Sequence, residues 1–356
     1  MARTKKSTKS ASDAKLTRIL SIDGGGIRGI LPGQILVKLE ELLEEEEGKT
    51  ACIADYFDFV AGTSTGGILT CAYLCPDDPT NRNPRPKLTA KEAVDIYLEQ
   101  GDEIFNVSFW KKMQSASGMA DEMYTADALE DGLLDYFGDT KLSQLLKPCL
   151  VTAYDIRRRR AHFFTQRDAA QRKSKDFLVR DVARATSAAP TYFELPRVKS
   201  MTNVAYPLVD GGVFANNPTM CAYAEARTLD FSDEGRASHP TAREMFILSL
   251  GTGKARKPFA YNEAKDWGKV GWIQPLIDIL MTGVSDTVDY QLGEIYDSVD
   301  AEKQYVRIDP ILGDASPEMD NGSIENLEAL REAGTESAEK HAEELKRVAK
   351  VLIENK

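Results

Sequence analysis

Three glycine-rich turns, each closing a short apolar run, constrain this chain more than any other feature. They are Gly24-Gly25-Gly26-Ile27-Arg28-Gly29 after Thr17–Ile22, Gly62-Thr63-Ser64-Thr65-Gly66 after Phe57–Ala61, and Asp210-Gly211-Gly212 after Tyr206–Val209. The first two feed straight into helical patterns. Ile35, Leu36, Leu39, Leu42 and Leu43 recur on one helix face, with Pro32 in the first turn and Gly48 at the end. A second helix runs from about Ser64 to Cys75 and stops before Pro76, and Thr89 with Glu92 opens a third through a capping box. Further strands are expected at Leu150–Tyr154, His162–Thr165, Phe246–Leu250 and Tyr305–Ile308, and helices at 180–187, 218–229, 276–298, 323–333 and 336–353. Residues 101–150 read as mostly helical or irregular. Strands alternating with helices imply a mostly parallel sheet covered on both faces, with its chemistry at the carboxyl ends of the strands.

Charge and composition narrow the function. The chain has 356 residues, with 45 Lys and Arg against 56 Asp and Glu, a net charge of −11. That balance argues against a nucleic-acid polymer as a general partner, which needs a basic surface. Hydrophobic residues make up 42%, enough for a sizeable core. Five cysteines, odd in number and without paired CxxC spacing, suggest neither a disulfide framework nor a zinc site, and point to a cytoplasmic setting. No secretory h-region or membrane-spanning run is visible. Residues 1–15 form a polar arm with Arg3, Lys5, Lys6 and Lys9.

Each turn has a chemical reading beside a bland one. Gly24 to Gly29 matches the dinucleotide fingerprint G-x-G-x-x-G, but the second strand ends without the acid that would hold a ribose. Its other chemical reading is an anion-binding turn, whose converging backbone amides stabilise an oxyanion. The G-x-S-x-G at Gly62–Gly66 is the pattern of a nucleophile elbow, a sharp strand-to-helix turn that presents Ser64 at the sheet edge. The serine needs a base. His162, His239 and His341 fall neither in a glycine turn nor at the carboxyl end of a strand, whereas Asp210 sits at a strand end. An ionised Asp210 could take the Ser64 proton directly; an Asp-Gly turn bonding its own backbone explains the residue equally well. Ser249–Lys254 ends in Gly-Lys but lacks the rest of a P-loop.

Taken in order, Asp23–Gly29, Gly62–Gly66 and Asp210–Gly212 resemble the patatin-like phospholipases. The stretches Ala183–Phe193, Val213–Pro218 and Leu248–Gly253 are similar to that family too, and the likeness runs over about 17–335. The resemblance implies a three-layer α/β/α sandwich with a central, mostly parallel sheet. It implies a Ser64 nucleophile, an Asp210 base, oxyanion donors at Gly24, Gly25 and Gly26 with Arg28 beside them, and support from Gly62, Gly66, Gly211 and Gly212. No metal or other cofactor is implied. The expected reaction is cleavage of glycerolipid esters at a membrane surface through an acyl-enzyme. The alternative is a storage or ligand-binding protein with little turnover. Some bacterial members that this chain resembles are antiphage effectors switched on by cyclic nucleotides, so such an activator is a further expectation. The expected organisation is a basic arm at 1–15, a catalytic domain at 16–335, and a C-terminal helix at 336–356 packed on the domain or on a second subunit of a homo-oligomer. Docking of an acidic enzyme on lipid would fall to the arm and to Arg157–Arg160, unless that run is a solvated turn.

Overall fold

In the computed structural model, the described residues are 15–105, 127–190, 192–254 and 259–356. The basic side chains expected of the arm therefore lie outside the described residues, as does part of the 101–150 stretch. Eight strands form one sheet: β1 (Thr17–Ile22), β2 (Phe59–Thr63), β3 (Cys149–Asp155), β4 (Arg160–Thr165), β5 (Arg197–Lys199), β6 (Ala205–Asp210), β7 (Met245–Leu250) and β8 (Tyr305–Ile308). The order is β5-β6-β3-β2-β1-β7-β8, with β4 on β3. The stretch β3-β2-β1-β7-β8 is parallel, and β4, β5 and β6 add antiparallel pairings at one side.

Helices cover both faces. The longer ones among the described residues are α1 (Ile30–Glu47), α2 (Thr65–Leu74), α3 (Ala90–Phe105), α4 (Asp127–Phe137), α5 (Val179–Thr186), α6 (Thr219–Ala226), α7 (Ile273–Asp297), α8 (Ile324–Lys340) and α9 (Ala342–Glu354). Alternate strand residues face opposite ways. Leu20, Ile22, Val60, Leu248 and Leu250 join the core under α1, α2, α8 and α9. Ile19, Phe59, Ala61 and Ile247 join a second core under α6 and α7. Double-sided burial is why the central strands are continuously apolar rather than alternating.

The architecture is the expected sandwich, with local departures. β2 starts two residues later than the apolar run suggested: Asp58, just ahead of its first paired residue, bonds the Arg18 carbonyl with its amide and the Arg18 guanidinium with its carboxylate. The expected break between 333 and 336 falls at His341 instead, since Gly334 packs on Gln34 of α1 inside an unbroken α8. In the C-terminal helix, Leu345, Val348 and Leu352 are wholly buried on the domain. Residues 156–159 form the β3–β4 turn, in which Arg158 pairs with Asp155 at 2.6 Å and lies over the Tyr206 ring. All five cysteines are free thiols.

The register places the two key turns. On one edge of β3, Thr152 pairs with Thr63 of parallel β2, and the next residue, Ala153, pairs with Asp210 of antiparallel β6. With β4 occupying the other edge, β2 and β6 meet end to end. Their carboxyl termini, which carry Ser64 and Asp210, converge because the strands run in opposite directions.

Candidate active site

Ser64 occupies a backbone conformation that L-residues seldom adopt, with φ 54° and ψ −122°. Such a residue costs on the order of 1–3 kcal/mol and persists only when its surroundings fix it. Buried threonines do so here. The Ser64 amide donates to Thr186 Oγ1 at 2.9 Å, and Thr186 donates onward to the Thr152 carbonyl at 2.7 Å. Thr63 Oγ1 bonds Thr152 Oγ1 at 2.7 Å and donates to the Ala215 carbonyl at 2.6 Å. The elbow also lies directly on β1: a Cβ on Gly66 would stand 2.2 Å from the Ile22 carbonyl oxygen, and one on Gly62 would strike Gly66 itself. Gly211 is equally tight against Thr152.

Asp210 is 4% exposed. Burial pushes its carboxyl up to about 6, against a smaller downward pull from hydrogen bonds with the Ser64 hydroxyl and the Gly212 amide. The Gly212 bond is 2.7 Å to Oδ1, so the Asp-Gly turn and a facing serine coexist at this residue. A carboxylate near 6 is ionised at neutral pH yet more basic than an exposed one, as a general base requires. Both side chains open into a cavity of about 120 Å³ whose wall includes Ile68, Leu129, Phe193, Met281 and Met319.

The first glycine turn faces the same cavity, but its residues are not equivalent. Gly25 and Gly26 line the cavity, and among the described residues no acceptor takes either amide. The Gly24 amide instead donates to the Asn216 carbonyl at 3.0 Å. The Gly24 carbonyl accepts from Thr252 Oγ1 at 2.6 Å and from Asn216 Nδ2 at 3.3 Å. Gly24 is thus committed to holding the turn and has no amide left for an oxyanion, which corrects the expectation that it donates one. Arg28 is buried, with Nε directed at the Gly25 carbonyl at 3.4 Å, a contact that braces the turn.

Sequence reasoning missed the anchor of this turn. The Asp23 carboxylate takes both arms of Arg307 at 2.9 and 2.6 Å and the Ser285 hydroxyl at 3.0 Å. Arg307 lies on β8, whose apolar pattern marked a strand but gave no sign of a partner for Asp23. Asn216 and Thr252 were visible only as members of the accessory stretches. Arg307→Ala leaves Asp23, 2% exposed, buried with its charge unopposed. It is expected to cost about 3–5 kcal/mol in urea unfolding.

No histidine enters the site. His162 lies among Phe164, Phe177 and Tyr206, and burial, with cations nearby, lowers its ring to about 4. His239 is exposed, and His341 joins α8 to α9, with Nδ1 against the Ser337 carbonyl at 2.8 Å.

Comparison with known proteins shows what the chain is similar to. The family model described as "Patatin-like phospholipase" matches residues 20–223, a span holding all three glycine turns. "Patatin-like protein 2" of Arabidopsis thaliana is 36% identical over 345 residues, covering 91% of this chain and 83% of the relative. "Patatin-2-Kuras 3" of Solanum tuberosum is 32% identical over 98% of this chain and 93% of its own length. The same plant's "Probable inactive patatin-3-Kuras 1" is also 32% identical, over 97% and 95%.

Proposed function

The chain belongs to the patatin-like phospholipase family, a family of lipid acyl hydrolases, and from that premise we propose that it cleaves glycerolipid acyl esters with Ser64 as nucleophile and Asp210 as base. Asp210 accepts the Ser64 proton as Oγ attacks the ester carbonyl. The carbonyl oxygen, now negative, receives the free Gly25 and Gly26 amides. Collapse of the tetrahedral intermediate breaks the ester C–O bond, and protonated Asp210 returns its proton to the leaving alkoxide. Water then repeats the sequence on the acyl-enzyme, with Asp210 again as base, and releases the fatty acid. Gly62, Gly66, Gly211 and Gly212 let the turns approach closely enough for these contacts. An apolar cavity wall suits an acyl chain.

The observation that carries the reading is the end-to-end meeting of β2 and β6, which sets a strained serine against a buried carboxylate at a cavity with two free amides. Fatty-acid release from phosphatidylcholine, compared between wild type and Ser64→Ala, tests it. Asp210 must be ionised to act, so kcat/KM is expected to fall as pH drops through about 6. A pH profile of a soluble ester's hydrolysis reads this directly, and a flat acid limb down to the ordinary carboxylate range would contradict it.

The storage alternative is favoured by one observation, the relative whose name marks it inactive. A fluorophosphonate that fails to label Ser64 would support it. The antiphage role and its cyclic-nucleotide gate rest on the sequence resemblance alone. Rates measured with and without cyclic dinucleotides test the gate, and equal rates remove it. Among the described residues no helix is long and apolar enough to cross a membrane.

A further inference from the structure

We infer that the outward face of α7 is a membrane-inserting surface that seats the rim of the catalytic cleft in the acyl region of a lipid bilayer. The inference rests on the lipid-hydrolase reading above. One face of α7 belongs to the protein core: Val288, Leu292 and Tyr296 pack under the sheet, and Ser285 is buried against Asp23. A helix turns about 100° per residue, which sets Leu276 opposite Ser285. A helix held by one stripe ordinarily exposes polar residues on the other. Here the outward side exposes Trp272 (42%), Leu276 (46%), Ile279 (40%), Leu280 (47%) and Tyr290 (68%). Positions 272, 276, 279, 280, 283, 287 and 290 carry no charge, and charge returns to this face at Glu294 and Asp297, the end of the helix away from Leu280. Asp278 and Asp289 lie toward the inward side, where Asp289 accepts from the Tyr305 hydroxyl at 2.8 Å, and Asp286, on the flank, is taken up by Lys254 at 2.7 Å.

Two features assign the occupant. The stripe is continuous with the cleft: Leu280 is exposed and lines the cavity that holds Ser64, as does Val213 (40% exposed). A second copy seated on this face would lie over the cleft rim, whereas a bilayer would offer an acyl chain a dry path into the cleft. The stripe also begins in an aromatic ladder, with Phe259 edge-on to Trp267 at 5.2 Å and Trp267 edge-on to Trp272 at 5.0 Å. Indole rings favour the boundary between headgroups and acyl chains. A stripe that carries no charge from 272 to 290, on a protein of net charge −11, docks by apolar insertion rather than by attraction to anionic lipid.

The test uses phosphatidylcholine vesicles, which carry no net charge. Ser64→Ala protein, which cannot consume the vesicles, is expected to co-sediment with them at low and high salt alike. Adding Leu276→Asp is expected to weaken partitioning by roughly ten-fold or more. Trp272→Ser serves as a second, independent variant of the same face. In otherwise wild-type protein, each single change is expected to lower hydrolysis of vesicle lipid by a similar factor, with turnover of a short-chain, water-soluble ester unchanged. Partitioning of both variants equal to the parent overturns the inference. So does binding that disappears at high salt, or a wild-type dimer that Leu276→Asp dissociates. If the wild type binds vesicles yet hydrolyses neither substrate, the functional reading fails and the surface stands.

Discussion

Ser64→Ala is expected to abolish fatty-acid release, by about 10⁴-fold or more in kcat, with the fold intact, since the side chain that forms the acyl-enzyme is gone. Asp210→Asn is expected to cost about 10²–10⁴-fold, the range for losing a positioned general base. The two substitutions differ in a second way. The Asp210 carboxyl holds its proton more tightly in the folded protein, up to about 6, than the ordinary value of 3.8. Ionising it therefore opposes folding. That cost is absent below the ordinary value, builds as pH rises, and is complete above about 6. Asp210→Asn removes the charge, so at neutral pH the variant is expected to be more stable than wild type, by on the order of 1–3 kcal/mol. In acid below the ordinary carboxylate value the difference vanishes. Urea unfolding at both pH values checks this, and a destabilised Asn variant at neutral pH would show that Asp210 serves the fold rather than the reaction.

Gly26→Ala carries the second large effect. Gly26 has φ +59°, and a Cβ there would stand 2.2 Å from the Met319 backbone oxygen. Backbone cannot yield as a side chain does, so the turn must rotate and carry the Gly25 and Gly26 amides off the cavity wall. Loss of an oxyanion donor costs on the order of 10²–10³-fold in kcat. KM is expected to change little, since the ground-state carbonyl makes no use of these amides. Steady-state kinetics on a soluble ester separates the two constants; a rise in KM with kcat unchanged would place the turn in substrate binding instead.

The elements of this site were legible in the sequence to different depths. Glycine turns after apolar runs are local signals, and each marked a real strand end. Whether two such ends meet depends on strand direction, which no local pattern encodes. The sequence suggested matching ends in a mostly parallel sheet for Ser64 and Asp210, whereas they converge because β6 runs antiparallel to β2. The same limit hid Arg307 and Ser285, which reach Asp23 from distant elements across the fold. It also hid the division of labour in the glycine turn. Gly24, Gly25 and Gly26 look alike in sequence, and only the Asn216 carbonyl separates the first from the other two. The apolar residues of α7 were read as one helix, while the assignment of one stripe to the core and another to the surface required knowing where the sheet lies.

The central claim is a serine served by a carboxylate, with no histidine. A fluorophosphonate label followed by peptide mapping tests it most directly. One adduct is expected, on Ser64, with a labelling rate that falls below pH about 6. The rate is expected to be unchanged in His239→Ala and His341→Ala, and lost in Asp210→Asn. An adduct on another residue, or labelling that survives Asp210→Asn and disappears with either histidine, would contradict it.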